Sequence, residues 1–404
     1  MSPRETETLR PLPVTADEFR PDPHQGYALY RPQTAVIDFG DGVASAIRHD
    51  DVVAMMTDPR TRQLETEALA FRGISSGALH DFYSNSLLLS NPPDHARRRA
   101  PLSRTFASKL MELWRPRVRE LVEGMIDDAA KENEFDVLTQ IASPLPSRII
   151  AEILGAPEED APRFAEMVYT MSRGLGGFRM EDFPGIETVA RDLCAYVENL
   201  LEERRRQPRD DFLSHYLERV SGENGLDPKE TMIQVVSLII GGSDTTRFAF
   251  TMLVSLLLTH RDQWEDLCRN PDLVPGAVRE GLRYEPSVGS IARVVLEPLD
   301  IGGVAFKPGA LVQLSMLSAQ RDERIFADPQ RFDIRREDHP RWSVSFGMGA
   351  HRCLGEALAR AELEEALAAL ARKLPNLALA GEPARAKGHV GIRGVGPLVV
   401  RSRS

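Results

Sequence analysis

Apolar residues recur every three to four positions along much of the first half of the chain. That spacing predicts helices in MELWRPRVRELVEGMIDDAAKE, LPSRIIAEILG, EDAPRFAEMVYTMSRG and ETVARDLCAYVENLLEERRRQ. The stretch GLGGFRMEDFPG, before the last of these, reads as a glycine-punctuated connection. Strict alternation appears elsewhere. In TAVIDFGDGVASAIRHD two alternating runs flank Gly40-Asp41-Gly42, a hairpin pattern, and a short helix follows in DDVVAMMTDP, stopping at Pro59. Residues 62–90 show no clear period and read as a long irregular surface loop, the kind that often carries function. SVGSIARVVLEPLDIGGVAFKPGALVQLSM predicts strands with turns at Gly302-Gly303 and Pro308-Gly309, and GIRGVGPLVV a last hairpin.

One helix stands apart. Asp227 reads as its N-cap, Pro228 as its first residue and Glu230 as the capping-box partner. The pattern runs to about His260, roughly 50 Å at about 1.5 Å per residue. It is apolar nearly all round, so it is buried; Asp244 and Arg247 interrupt it, so it is no membrane span. In its middle, GGSDTT places two glycines and a buried acid where each costs helix stability, about 1 kcal/mol per glycine. Such violations of local rules mark candidate functional positions.

Composition narrows the class. The 404 residues carry a net charge of −10, with 42% hydrophobic and 27% charged positions, an ordinary globular balance. Length alone suggests two or three domains, and the acidic balance argues against nucleic acid. Cys194, Cys268 and Cys353 are too far apart for a disulfide framework or a C-x-x-C metal site, and suit a reducing, cytoplasmic compartment. The polar, Pro-rich start is neither a signal peptide nor a membrane anchor, and residues 1–21 are expected to be flexible.

The chemistry centres on FGMGAHRCLG, residues 346–355. Cys353 is placed to ligate iron as a thiolate, with a helix N-terminus immediately after it to favour negative charge. Gly347, Gly349 and Gly355 let backbone wrap closely, Phe346 supplies an apolar wall, and His351 lies two residues from the sulfur. The spacing resembles the haem-binding signature of the cytochrome P-450 superfamily of haem-thiolate monooxygenases, soluble bacterial type. Three further motifs follow the family's order. His95 and Arg99 share a helix face in NPPDHARRRAPLSRTFA, where Asn91 is a candidate cap and Pro101 a candidate bend. Gly241, Gly242, Asp244 and Thr245 fill the mid-helix pattern. Glu280 and Arg283 form E-x-x-R, with Arg336, ahead of Arg331, as the third member.

The resemblance implies a mainly α (α+β) fold: one haem domain over residues 22–404, a long central helix over haem b and a smaller strand-rich region. Cys353 then holds the iron; His95, Arg99, Arg293 and His351 reach the propionates; Asp244 and Thr245 manage protons. Tyr83, Leu88, Val236, Ile240, Gly241, Val288 and Ile291 are candidate pocket walls, and the last hairpin turn is expected to touch substrate. The implied activity is O2-dependent oxidation of an apolar small molecule by a monomer, with electrons from a separate ferredoxin and ferredoxin reductase. Arg97, Arg98, Arg104 and Arg352 are the candidate docking patch. A peroxide-driven peroxygenase and a non-catalytic haem sensor are the alternatives.

Overall fold

The long helix forms as Pro228–Thr259. The Asp227 carboxylate accepts from the Glu230 N–H at 2.7 Å, and Glu230 reaches back to the Asp227 N–H at 3.4 Å. This computed structural model describes residues 10–19, 22–40, 42–106, 111–222, 225–341 and 343–402. The helix packs against Pro144–Ile153, Ala161–Ser172, Phe183–Arg206, Val274–Tyr284 and Glu356–Lys373. Together they enclose the main apolar core, with Ile239, Phe248 and Val254 fully buried. The helix stays α-helical through GGSDTT; the Ser243, Thr245 and Thr246 hydroxyls donate to carbonyls four residues back. It is 32 residues long, yet no helix among the described residues is both long and apolar enough to cross a membrane.

The strand-rich part is a six-stranded sheet. From one edge it runs Leu12–Pro13, Val36–Asp38, Ala44–Ala46, Leu311–Ser315, Ser290–Val295, Thr61–Gln63. The hairpin flanking Gly40 and Gly42 is present, and both glycines take positive φ (83° and 80°), the conformation for which glycine is suited. The sheet carries a second apolar core around Val312 and Leu314.

Several expectations need correction. Residues 10–19 are not loose: Leu12–Pro13 adds a parallel strand and Phe19 is buried against Tyr27 and Phe39. Residues 1–9, 20 and 21 of that stretch lie outside the described residues. The expected loop 62–90 is largely ordered and contains helices Glu67–Ala70 and Ala78–Asn85. The second starts because Glu187, distant in sequence, accepts from the Ala78 and Leu79 N–H groups at 2.6 and 3.0 Å. No local pattern could show that cap. Asn91 does not cap with its side chain; its amide bonds the Gln63 N–H and carbonyl as a strand neighbour would, and the helix begins at Asp94. It continues unbroken through Pro101 to Thr105.

Candidate functional site

The Cys353 loop is built from two single-turn 3-10 segments, Val344–Phe346 and Gly349–His351. Gly347 and Gly349 adopt φ of 67° and 64°, and a Cβ on Gly349 would also meet Thr57 at 2.9 Å. These two positions require glycine. Gly355 does not: its φ is −88° and the nearest protein atom to an added Cβ is 4.0 Å away. The Cys353 N–H donates to the Phe346 carbonyl at 2.8 Å, closing the loop. The Arg360 guanidinium covers the Phe346 ring at 4.8 Å.

Cys353 opens onto a cavity of about 320 Å³. Its side chain is exposed to that cavity, not to the outer surface. Burial pushes the thiol up to about 11, against a hydrogen bond from the Gly355 N–H. Glu356 adds to the rise, while Arg99 and Arg352 oppose it. The protein alone therefore leaves the thiol protonated near pH 7, and a metal cation is needed to ionise it.

The opposite wall is the long helix. Ser237, Leu238, Gly241, Gly242, Thr245 and Thr246 face the cavity, a stripe repeating every four residues. Val236 and Ile240 are fully buried but belong to the adjoining face, packed in the helical core. Leu87 and Leu88 enter from a segment stitched to this helix. Gln234 accepts from the Leu87 N–H and donates to the Asn85 carbonyl, both at 2.8 Å, and Ser86 and Ser237 share a 2.7 Å hydrogen bond. Tyr83 does not reach the cavity; it is buried, with its hydroxyl donating to the Gly174 carbonyl at 2.8 Å. Strand Ser290–Val295 presents Ile291 and Arg293, two apart and so on one side. Val288 lines the wall just before it.

One edge of this cavity is cationic. The His95 and His351 rings lie 4.0 Å apart between centroids. Burial, with Arg99 beside it, pulls His95 down to about 4. Burial, with His95, Arg293 and Arg99, pulls His351 to about 3. Burial alone lowers Arg293 to about 10, and its guanidinium donates to the neighbouring Ala292 carbonyl at 3.1 Å. Arg99 donates to the Arg352 carbonyl at 2.6 Å. The buried His95 Nε2 has no hydrogen-bond partner. Two guanidiniums and two imidazoles desolvated together, without a salt-bridged carboxylate among the described residues, fit an anionic ligand such as a pair of propionates.

Asp244 faces away from the cavity. Arg247 Nε lies 2.5 Å from its carboxylate and stacks over Tyr169 at 3.9 Å. Burial raises the Asp244 pKa, while Arg247 opposes the rise. Glu280 is fully buried and accepts from Arg283 at 2.7 and 2.8 Å, from the Asp333 N–H at 2.9 Å and from Arg336 at 3.3 Å. Arg336 is thus the third member, whereas the Arg331 side chain is 67% exposed and reaches Asp333. Of the arginines read as a docking patch, Arg97 and Arg98 instead grip Glu230, and Arg352 pairs with Glu356 at 2.6 Å. Arg104, the fourth, lies exposed.

Sequence reasoning missed Glu362. It lies on helix Glu356–Lys373, on the cavity face with Leu358 and Ala359, and burial pushes its carboxyl up to about 8. A glutamate inside a run of Glu and Ala gives no local sign of that. Phe106 and Met316 also line the cavity, as do Pro146 and Ile150, one turn apart on helix Pro144–Ile153.

A single cysteine facing this cavity, beside a cationic edge, is a lining that fits a thiolate-ligated haem. The cytochrome P450 family model matches residues 51–374. The plant-inducible cytochrome P450-pinF1 of Rhizobium radiobacter is 42% identical over 379 residues, covering 94% of this chain and 90% of that protein. Nocardicin C N-oxygenase of Nocardia uniformis is 34% identical, covering 90% of each. The crystal structure of P450BioI in complex with an acyl carrier protein ligated to hexadec-9Z-enoic acid superposes with a TM-score of 0.86 at 30% identity, covering 96% of this chain and 100% of that one. The chain belongs to the cytochrome P450 family. It is a cytochrome P450 monooxygenase, and its cofactor is haem b with its iron.

Proposed function

We propose that this enzyme inserts one atom of O2 into an apolar small organic molecule, with two electrons delivered by a separate ferredoxin and its reductase. The observation that carries this reading is the cavity itself: Cys353 on one wall, Gly241, Gly242 and Thr245 on the other, and aliphatic side chains between. In balance, the substrate C–H, O2, two electrons and two protons become C–OH and water.

Haem bound here supplies the activation of dioxygen and the oxidising power. Cys353 would hold the iron and, as a thiolate, would lend it electron density. Arg99 and Arg293 would offset the charge of the propionates, and the neutral His95 and His351 would hydrogen-bond to them. Phe346 and Leu358 exclude water from the sulfur side. Gly241 and Gly242 leave space beside the long helix; an added Cβ on Gly241 would come within 3.7 Å of Leu88, so bulk there narrows the substrate's room. Thr245 Oγ1, now donating to the Gly241 carbonyl at 3.2 Å, can rotate to pass a proton into the cavity. Asp244, on the Arg247 side, is placed to resupply it from outside. Glu362 holds a proton at pH 7 and forms a second donor on the cavity wall. Leu87, Leu88, Val288 and Ile291 select apolar ligands by shape. The chain from residue 22 onward acts as one haem domain and as a monomer. The ferredoxin docks on the Cys353 side without help from Arg97 and Arg98.

The structural likeness to P450BioI bearing an acyl chain makes long acyl chains the first compounds to screen. The test is the absorption of the reduced, carbon-monoxide-bound protein. Wild type is expected to show the red-shifted Soret band of thiolate ligation, and Cys353→His to lose it. Product formation from NADPH with surrogate ferredoxin and reductase then separates a monooxygenase from a sensor. Peroxide-driven turnover untouched by Thr245→Ala would favour a peroxygenase.

A further inference from the structure

The hairpin expected within residues 391–400, with its turn on substrate, does not form: Gly394–Val395 pairs back with Ala386–Lys387, while Val399–Arg401 pairs with Ala378–Leu379 and Glu134–Asp136. The turn of the hairpin that does form lies behind the cavity wall. Strands Ala386–Lys387 and Gly394–Val395 pair, and the connection 388–393 backs segment 287–291. Val288 bridges Ile392; the Gly289 N–H donates to the Gly391 carbonyl at 2.8 Å, and the Arg393 N–H to the Ser287 carbonyl at 2.9 Å. A Cβ on Gly289 would lie 2.4 Å from the His389 carbonyl oxygen. Wall and turn therefore touch backbone to backbone, with no slack between them.

We propose that Arg393 is a positioning residue that sets the shape of the cavity wall at 287–291, and so decides which apolar ligands fit beside the haem. Its side chain is buried and reaches the turn, the residues just before the wall and the long helix. Nε donates to the Gly388 carbonyl at 3.0 Å, closing the turn on itself. Nη1 donates to Glu285 at 2.5 Å and to the Pro286 carbonyl at 3.2 Å, one residue before the wall. The guanidinium also lies over Phe248 at 5.3 Å, on the long helix one turn beyond Thr245. Glu285 is itself held still: His24 reaches it at 2.8 Å, Arg321 at 3.2 Å, and Arg321 also grips the Tyr284 carbonyl at 2.7 Å. Arg393 thus ties the turn to a fixed anchor. Closely packed interiors transmit displacement because little free volume absorbs it. When the turn moves, Val288 and Ile291 move with it.

This inference rests on the haem-thiolate reading, and the test separates the two. Haem-loaded wild type, Arg393→Met, Arg393→Lys and Gly289→Ala are titrated with imidazole and with 4-phenylimidazole, followed by the Soret shift. Imidazole is small enough to ignore the wall; the phenyl group is not. In Arg393→Met, 4-phenylimidazole is expected to weaken relative to imidazole by about tenfold, the loss of roughly one well-packed apolar contact. Arg393→Lys keeps a charge opposite Glu285 but not the fork. It should recover the melting temperature while the binding ratio stays altered. Gly289→Ala presses on the same interface without touching the charges and should shift the ratio in the same direction; it carries the test if Arg393→Met does not fold. A lowered melting temperature with an unchanged binding ratio in the Arg393 variants would make Arg393 merely structural and overturn the proposal. So would an unchanged ratio in Gly289→Ala. Failure of the thiolate band in wild type, before any azole is added, would instead remove the reading beneath it.

Discussion

Replacing Glu280 with glutamine keeps the shape of that side chain and removes its charge. Glu280 has no solvent exposure, and four donors converge on it: two from Arg283, one from Arg336 and the Asp333 N–H. A glutamine amide can accept from one side only and turns its own N–H group toward a guanidinium. Removing one partner of a buried ion pair costs about 3–5 kcal/mol. Unfolding entropy of about 2.1 cal/mol/K per residue makes that a fall of about 5 °C in melting temperature for a chain this long. The effect should reach Cys353. The Leu282 carbonyl, on the same helix, accepts from Ser345 at 3.0 Å, and Ser345 also bonds Gln320; Ser345 begins the loop that ends at Cys353. The assay is a thermal melt of the haem-loaded protein together with its reduced carbon monoxide spectrum. Glu280→Gln is expected to melt early and to lose part of the thiolate band. Arg336→Ala should follow it, and Arg331→Ala should not. A melting temperature within one degree of wild type, or equal effects at Arg331 and Arg336, would refute the brace.

The remaining expectations concern charge and protons. Arg293→Leu removes a guanidinium that burial alone penalises, so the protein without haem should gain stability while haem is lost about tenfold faster; melts with and without haem check both signs. Glu362 has an ordinary value of 4.5 and a folded value of about 8, so the native state holds a proton that the unfolded chain releases. Wild type therefore loses up to about 1.4 kcal/mol of stability per pH unit between those values, and Glu362→Gln should be the more stable protein at pH 8 but not at pH 4; parallel denaturant titrations decide it. Thr245→Val should keep NADPH consumption but divert it from product, as read by the ratio of product to NADPH.

What the sequence disclosed depended on whether a signal was local. The Cys353 loop, the capping box at Asp227 and the E-x-x-R pair are each spelled out within ten residues, and all three form. Val236 and Ile240 were misplaced for a definite reason: a helix apolar on every side has no amphipathic phase, so nothing in it says which stripe meets the cavity. Tyr83 was read as a wall because its segment seemed a loop. The cap that makes it a helix comes from Glu187, more than a hundred residues away. Arg97 and Arg98 read as docking-patch arginines because only the fold brings Glu230 to them. Glu362 and Arg393 take their character wholly from what tertiary packing puts around them.

The Glu230 carboxylate serves two elements at once. It closes the capping box that starts the long helix, and it receives Arg97 at 2.6 and 2.7 Å and Arg98 at 3.1 Å from the helix that carries His95 and Arg99. Neither helix can lift away without undoing the other's terminus or its charge balance. They should therefore open as one cooperative unit, with amide protons in helix Asp94–Thr105 and in the first turns of Pro228–Thr259 exchanging at a common free energy. The grip on the cofactor's edge is thus only as transient as the rarest opening of the central helix.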